Sequence, residues 1–206
     1  NSLGELNPFN GYGCASNEKS IFYGRDEQLD QLANNPASLI CGGRRIGKTT
    51  ILRELEERLK KENYIVVNYP VGASVVAESH SLDRDSRVAQ KIINRLKNRL
   101  PEDIDPEKLP DETDPVSKLD EWIFTLGERG LKIGILLDEF DVYLGYATER
   151  EVKNSRLLRT FRERGPSGDG SLTTLVVAGF THLYYQINPK AHKGPHPPLG
   201  NLGQKV

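Results

Sequence analysis

Residues 42–49 read Gly42-Gly43-Arg44-Arg45-Ile46-Gly47-Lys48-Thr49, and this octapeptide limits what the chain can fold into more than any other stretch. The short apolar run Ser38-Leu39-Ile40-Cys41 precedes it, and 49–62 follows, with Ile51, Leu52, Leu55 and Leu59 on one face and Glu, Lys and Arg on the other. An apolar run that stops abruptly at two glycines reads as a buried parallel strand. The helical spacing after it predicts an amphipathic helix. A glycine-rich turn between such a strand and helix points main-chain N–H groups and the positive helix N-terminus at one place, which makes an anion cradle. The pattern G-x-x-x-x-G-K-[ST] in this context predicts a phosphate-binding loop. Gly42, Gly43, Arg44, Arg45, Ile46, Gly47, Lys48, Thr49 and Thr50 are then the nucleotide-binding set, although the plainer reading of Arg44 and Arg45 is as exposed loop residues, either of which could touch a phosphate or a partner. Lys48 brings a point charge to the β- and γ-phosphates. Thr49 offers its hydroxyl to Mg²⁺, a hard cation that takes oxygen ligands.

The rest of the chain alternates helix and strand patterns. Residues 1–20 are rich in Gly, Asn and Ser and form an irregular lead-in. A short helix is expected over 26–34, a strand over 64–69, helices over 86–100 and 116–129, a strand over 133–137, a helix over 151–163 and a strand over 174–178. Between two of the helices, 101–115 is rich in proline and acid and reads as a surface loop. Strands that are nearly continuous in apolar character, alternating with helices, predict a mostly parallel sheet covered on both faces, a three-layer α/β/α sandwich. Residues 21–206 form one such domain.

Further candidate residues cluster at strand ends. Ile135-Leu136-Leu137-Asp138-Glu139 ends a buried strand in two carboxylates. Asp138 is the second metal-holding residue beside Thr49, and Glu139 is the carboxylate that polarises the attacking water. Asp141 extends the acidic cluster and reads as solvated or helix-capping. After the fourth strand comes Gly179-Phe180-Thr181-His182, where Thr181 is the first choice for sensing the phosphate or orienting water, with His182 second, and a strand-terminal turn in which Thr181 satisfies local backbone is an equal reading. The catalytic set is Glu139, Lys48 and Thr181. Arg156, Arg159, Arg162 and Arg164 lie on the helix between the carboxylates and that strand. One of them could reach a neighbouring subunit's nucleotide, but a solvated face pairing with Glu163 and its neighbours is the plainer reading.

Composition narrows the classes further. The net charge of −1 gives no general pull toward nucleic acid or anionic membrane, leaving only the local basic cluster 91–99 for a nucleic-acid contact. Two cysteines, Cys14 and Cys41, stand in no metal or redox spacing and suggest a reducing, cytoplasmic setting. No apolar run is long enough to span a bilayer. The chain has no methionine, so Asn1 reads as an internal start and Val206 as a break inside a segment of a longer protein.

Asn7-Pro8-Phe9, Phe22-Tyr23-Gly24-Arg25-Asp26-Glu27 and Gly43-Arg44-Arg45-Ile46-Gly47-Lys48-Thr49 together resemble the STAND signalling ATPases and their AAA+ relatives, over roughly residues 7–206. The resemblance implies an AAA+-like P-loop NTPase fold. It also implies that Phe22, Tyr23, Gly24 and Arg25 lie over the base or ribose of ATP or ADP. It implies further a switch in which ATP exchange permits homo-oligomeric assembly, with lid, winged-helix, sensor and effector parts outside these residues. A second function shares the same signatures: a DNA-associated ATPase similar to origin-recognition initiators or mobile-element ATPases. A GTPase would need a guanine-selective Asn/Thr-Lys-x-Asp segment, which the sequence lacks. A small-molecule kinase has less use for the Asp138-Glu139 pair, and a domain that binds nucleotide without hydrolysis is the remaining alternative.

Overall fold

The computed structural model describes residues 26–35, 37–43, 45–72, 83–145 and 154–180, together with the backbone of 204–205. The first half contains α1 (Asp26–Asn34), β1 (Ala37–Cys41), α2 (Lys48–Lys61), β2 (Tyr64–Pro70) and α3 (Arg84–Lys97). A 3₁₀ turn (Pro106–Lys108), α4 (Pro115–Glu128), β3 (Lys132–Asp138), α5 (Phe140–Gly145), α6 (Arg156–Arg164), β4 (Thr174–Gly179) and β5 (Gln204–Lys205) follow.

The strands lie in the order β2-β3-β4-β1-β5, and every pairing is parallel. The central strands β3 and β4 are buried along almost their whole length, which explains their unbroken apolar sequences. Successive side chains of a strand point to opposite faces, and the core divides accordingly. On one face Leu39, Val67, Ile135, Leu137 and Val177 pack with α3, α4 and α6. On the other Ile40, Val66, Leu136 and Val176 pack with α1 and α2. The expected three-layer α/β/α sandwich with a parallel central sheet is the observed fold.

Most expected elements are present, with ends moved by one to three residues. The helix expected from residue 116 starts at Pro115, because Asp114 caps it by accepting the Ser117 N–H at 2.8 Å and proline suits the first turn. Asp83 caps α3 through the Ser86 N–H, so that helix begins before residue 86. The last expected helix is described from Arg156, with Ser155 as its cap; residues 151–153 lie outside the described set. The 101–115 stretch is more than a surface loop. Ile104 and Leu109 are buried in it, and the Trp122 indole N–H donates to the Pro110 carbonyl at 2.9 Å. Among the described residues no helix is long and apolar enough to cross a membrane. Gln204–Lys205, which the sequence pattern does not mark as a strand, pairs with β1 at Ser38 and Leu39.

Candidate nucleotide site

In an open parallel sheet the ligand crevice lies beyond the carboxyl ends of the strands, where the strand order reverses. Here β4 sits between β1 and β3, so the ends of those three strands meet: Cys41 is level with Gly179, and Leu137 with Val177. The Gly42 N–H donates to the Gly179 carbonyl at 3.2 Å and fixes the start of the loop to β4. Gly47 stands just before α2, and its φ of 90° lies in the left-handed region that glycine adopts readily. Unlike α3, α4 and α6, α2 has no side chain capping its first N–H groups. Those donors and the positive end of the helix dipole are directed at the mouth of the loop, which suits an anion.

The loop's own side chains lie within it. The Lys48 ammonium donates to the Gly42 and Gly43 carbonyls at 2.9 and 2.6 Å, and it stands 5.1 Å from the centre of the Phe180 ring. The Ile46 side chain lies against Gly42, where a Cβ would come 1.9 Å from Ile46 Cδ1. Arg45, exposed, has a φ of 58°. Arg44 lies outside the described residues, as do Phe22, Tyr23, Gly24, Arg25, Thr181 and His182.

Opposite the loop stand the carboxylates. The Thr49 hydroxyl donates to Asp138 Oδ2 at 2.5 Å, although 89 residues separate the two. Asp138 is 7% exposed, and its Oδ1 accepts the Glu139 N–H at 2.8 Å. Glu139 has a φ of 55° and is itself exposed. Its carboxylate rests on Gly72, just past β2, where a Cβ would come 2.3 Å from Oε2. Oxygen atoms on Thr49 and Asp138 fit Mg²⁺, which is commonly held through one or two protein oxygens plus substrate phosphates.

Two sequence expectations need correction. Asp141 is neither solvated nor a helix cap. It is 5% exposed, and its Oδ1 accepts the Phe180 N–H at 3.1 Å, so it holds the end of β4 to α5. Arg159 and Arg162 lie on an exposed face as expected, but Arg156 and Arg164 pair away from their own helix. Arg156 makes a two-pronged pair with Asp114 at 3.0 and 2.5 Å, and Arg164 a similar one with Asp120 at 3.0 and 2.7 Å plus Asp169 at 2.6 Å. These bonds tie α6 to α4. Burial would raise the Asp114 carboxyl, but hydrogen bonds from Arg156 and Ser117 outweigh it and hold the group below its usual range. Arg162 is a loose 3.9 Å from Glu163.

Sequence reasoning also missed the clasp behind α5. The Tyr143 hydroxyl lies 2.5 Å from Asp85 Oδ1 and 3.1 Å from Ser155 Oγ, and Ser155 donates to Asp85 Oδ2 at 2.8 Å. Burial, and then the neighbouring Asp85 carboxylate, push the Tyr143 phenol well above its ordinary range, which keeps it a neutral donor. Nothing in the sequence joins residues 58 and 70 positions apart. For Gly72 the only signal was a glycine after an expected strand.

No protein-family model and no curated protein matches this chain. Solved structures do. A Walker-type ATPase of Pyrococcus abyssi superimposes with a TM-score of 0.55 at 15% identity, over 92% of this chain and 54% of that one. Cdc6p from Pyrobaculum aerophilum gives 0.51 at 15% identity, over 95% and 47%. The fold is the P-loop ATPase fold of these structures. The Aeropyrum pernix ORC1 protein, solved in complex with DNA, gives 0.50 at 18% identity, over 88% and 44%. The chain thus spans about half the length of these structures.

Proposed function

We propose that this chain binds Mg-ATP and hydrolyses it slowly, as the nucleotide-controlled switch domain of a larger, cytoplasmic protein of the STAND type. One observation carries the reading: the Thr49 hydroxyl and the Asp138 carboxylate meet at the uncapped start of α2. Main-chain N–H groups of residues 42–50 take the phosphates. Lys48 leaves the Gly42 and Gly43 carbonyls for the β- and γ-phosphate oxygens. Thr49 and Asp138 would hold Mg²⁺, which would supply neutralisation of phosphate charge. Glu139 turns its carboxylate from Gly72 to the attacking water and accepts its proton, and Thr181 orients that water. Phe22 to Arg25 cover the base or ribose.

ATP-bound copies assemble with one another, and ADP returns them to monomers. The test is the mass of the complete protein by light scattering with ADP, with ATP, and with ATP after Glu139→Gln. Assembly with ATP that persists in the variant supports the switch.

A second reading, a DNA-associated ATPase, is favoured by the Cdc6p and ORC1 neighbours, one of them solved on DNA. It uses the same site and differs in output. On this chain the basic cluster 91–99 is thinner than its sequence suggests, because Arg95 and Arg99 donate to backbone carbonyls of β2 and leave Lys91 and Lys97 exposed. A monomer in every nucleotide state whose hydrolysis rises with duplex DNA would replace the switch with this reading.

A further inference from the structure

β2 is an outer strand of the sheet: it pairs with β3, and among the described residues no strand pairs with its other side. Its sequence, Tyr64-Ile65-Val66-Val67-Asn68-Tyr69-Pro70, carries no charge and is rich in residues that favour strands. An open edge of this composition is a template for pairing with another chain, and such edges usually carry a lysine or other charge to prevent it.

The register shows which backbone groups face outward. The Val71 N–H donates to the Asp138 carbonyl across to β3, at 2.9 Å. The N–H and C=O of one residue point to the same side of a strand and alternate along it. Ile65, Val67 and Tyr69 therefore direct their backbone polar groups to β3, while Tyr64, Val66, Asn68 and Pro70 direct theirs off the sheet. Pro70 has no N–H to offer there, which suits proline to an outer edge.

The outward carbonyls at 66 and 68 already have donors. Arg95 Nη1 donates to the Asn68 carbonyl at 2.6 Å, with its guanidinium 4.8 Å from the centre of the Tyr69 ring. Arg99 Nη1 donates to the Val66 carbonyl, and its Nη2 lies 3.0 Å from the Glu56 carboxylate. Glu56 belongs to α2, which packs on the opposite face of the sheet from α3. Arg99 thus reaches around the edge from one face to the other. We propose that Arg95 and Arg99 are edge guards, holding the outward carbonyls of β2 so that a strand of a second copy of this chain cannot add to the sheet. Assembly, where it occurs, uses other surfaces. This inference stands apart from the nucleotide reading.

The test compares the wild type with Arg95→Ala/Arg99→Ala, without nucleotide, by light scattering over a concentration series and by amide exchange across residues 64–70. The double variant should gain mass to that of two or more chains where the wild type does not, and the Val66 and Asn68 amides should become protected as it associates. Adding Asn68→Pro, which removes an outward donor and leaves the β3 ladder intact, should return it to the wild-type mass. The proposal is overturned if the folded variant keeps the wild-type mass, or if it associates while Val66 and Asn68 exchange as fast as before. Each single variant carries the same two readouts, so a double variant that fails to fold leaves both tests standing.

Discussion

The two sides of the candidate site are built differently. On the loop side, Lys48 holds the chain together through bonds to its own loop carbonyls, while Arg45 and Ile46 are exposed. On the acid side, Asp138 and Asp141 are buried and bonded to Thr49, Glu139 and Phe180. α5 is clasped from behind by Asp85 and Ser155. A buried carboxylate that loses its partners leaves costly unsatisfied groups, whereas a partly exposed ammonium exchanges one set of oxygens for another at lower cost. The contrast teaches that the acids are fixed in advance by burial, with Glu139 the one exposed carboxylate among them, and the proposed nucleotide role needs only the loop's more exposed bonds to rearrange.

The comparison can be broken by experiment. Glu139→Gln should lower kcat for ATP hydrolysis by about 10²–10⁴-fold, the range for losing a general base, with nucleotide affinity retained. Unchanged kcat would remove Glu139 from the chemistry. Lys48→Ala should weaken ATP binding by about 10–100-fold, from about 1.5–3 kcal/mol for charged hydrogen bonds, and should barely move the unfolding midpoint. Titration calorimetry and denaturant unfolding separate the two effects. Asp141→Ala should do the reverse at first order: it strands the Phe180 N–H and lowers stability by about 1–3 kcal/mol, while Asp141→Asn, which keeps an acceptor, should unfold close to wild type. If Lys48→Ala proves the more destabilising of the pair, the contrast between the two sides is wrong.

Gly72→Ala sharpens the contrast at its one exposed carboxylate. The added methyl meets the Glu139 carboxylate and also crowds its Cβ at 3.1 Å, so the whole side chain must shift, and kcat should fall a few-fold while ATP affinity stays level. Equal kcat in Gly72→Ala and wild type would show that the resting place of Glu139 has no bearing on rate. The smallest effect concerns the α4–α6 tie. The Asp114 carboxyl is held below its unfolded value, so its contribution is present above about pH 4, the ordinary aspartate range, and is lost as pH falls through the lower folded value. The pair is partly exposed, which keeps it to about 0–1 kcal/mol. The stability gap between wild type and Asp114→Asn, measured by denaturant at pH 6 and pH 3, should narrow at the lower pH.

Local pattern made the loop legible, since strand, glycines, Lys48, Thr49 and helix are contiguous. The same holds for the Asp138-Glu139 strand end and for the helix faces. α5 was not legible because its six residues are too few to show a period and it is anchored by side chains from other elements. The partners of Arg156 and Arg164 were not legible either: sequence neighbours compete as partners on paper, and the packing of α6 on α4 chose Asp114 and Asp120 instead.

The sequence by itself determined an alternating α/β chain with a phosphate-loop pattern and a strand ending in two acids, because strand burial, helix amphipathicity and loop chemistry are written in residues that adjoin. Only the tertiary structure decided that Thr49 meets Asp138, that Asp141 holds the end of β4, and that two arginines of one short segment close the β2 edge. Each of these depends on strand order and register, which bring together residues tens of positions apart, and no local period records that.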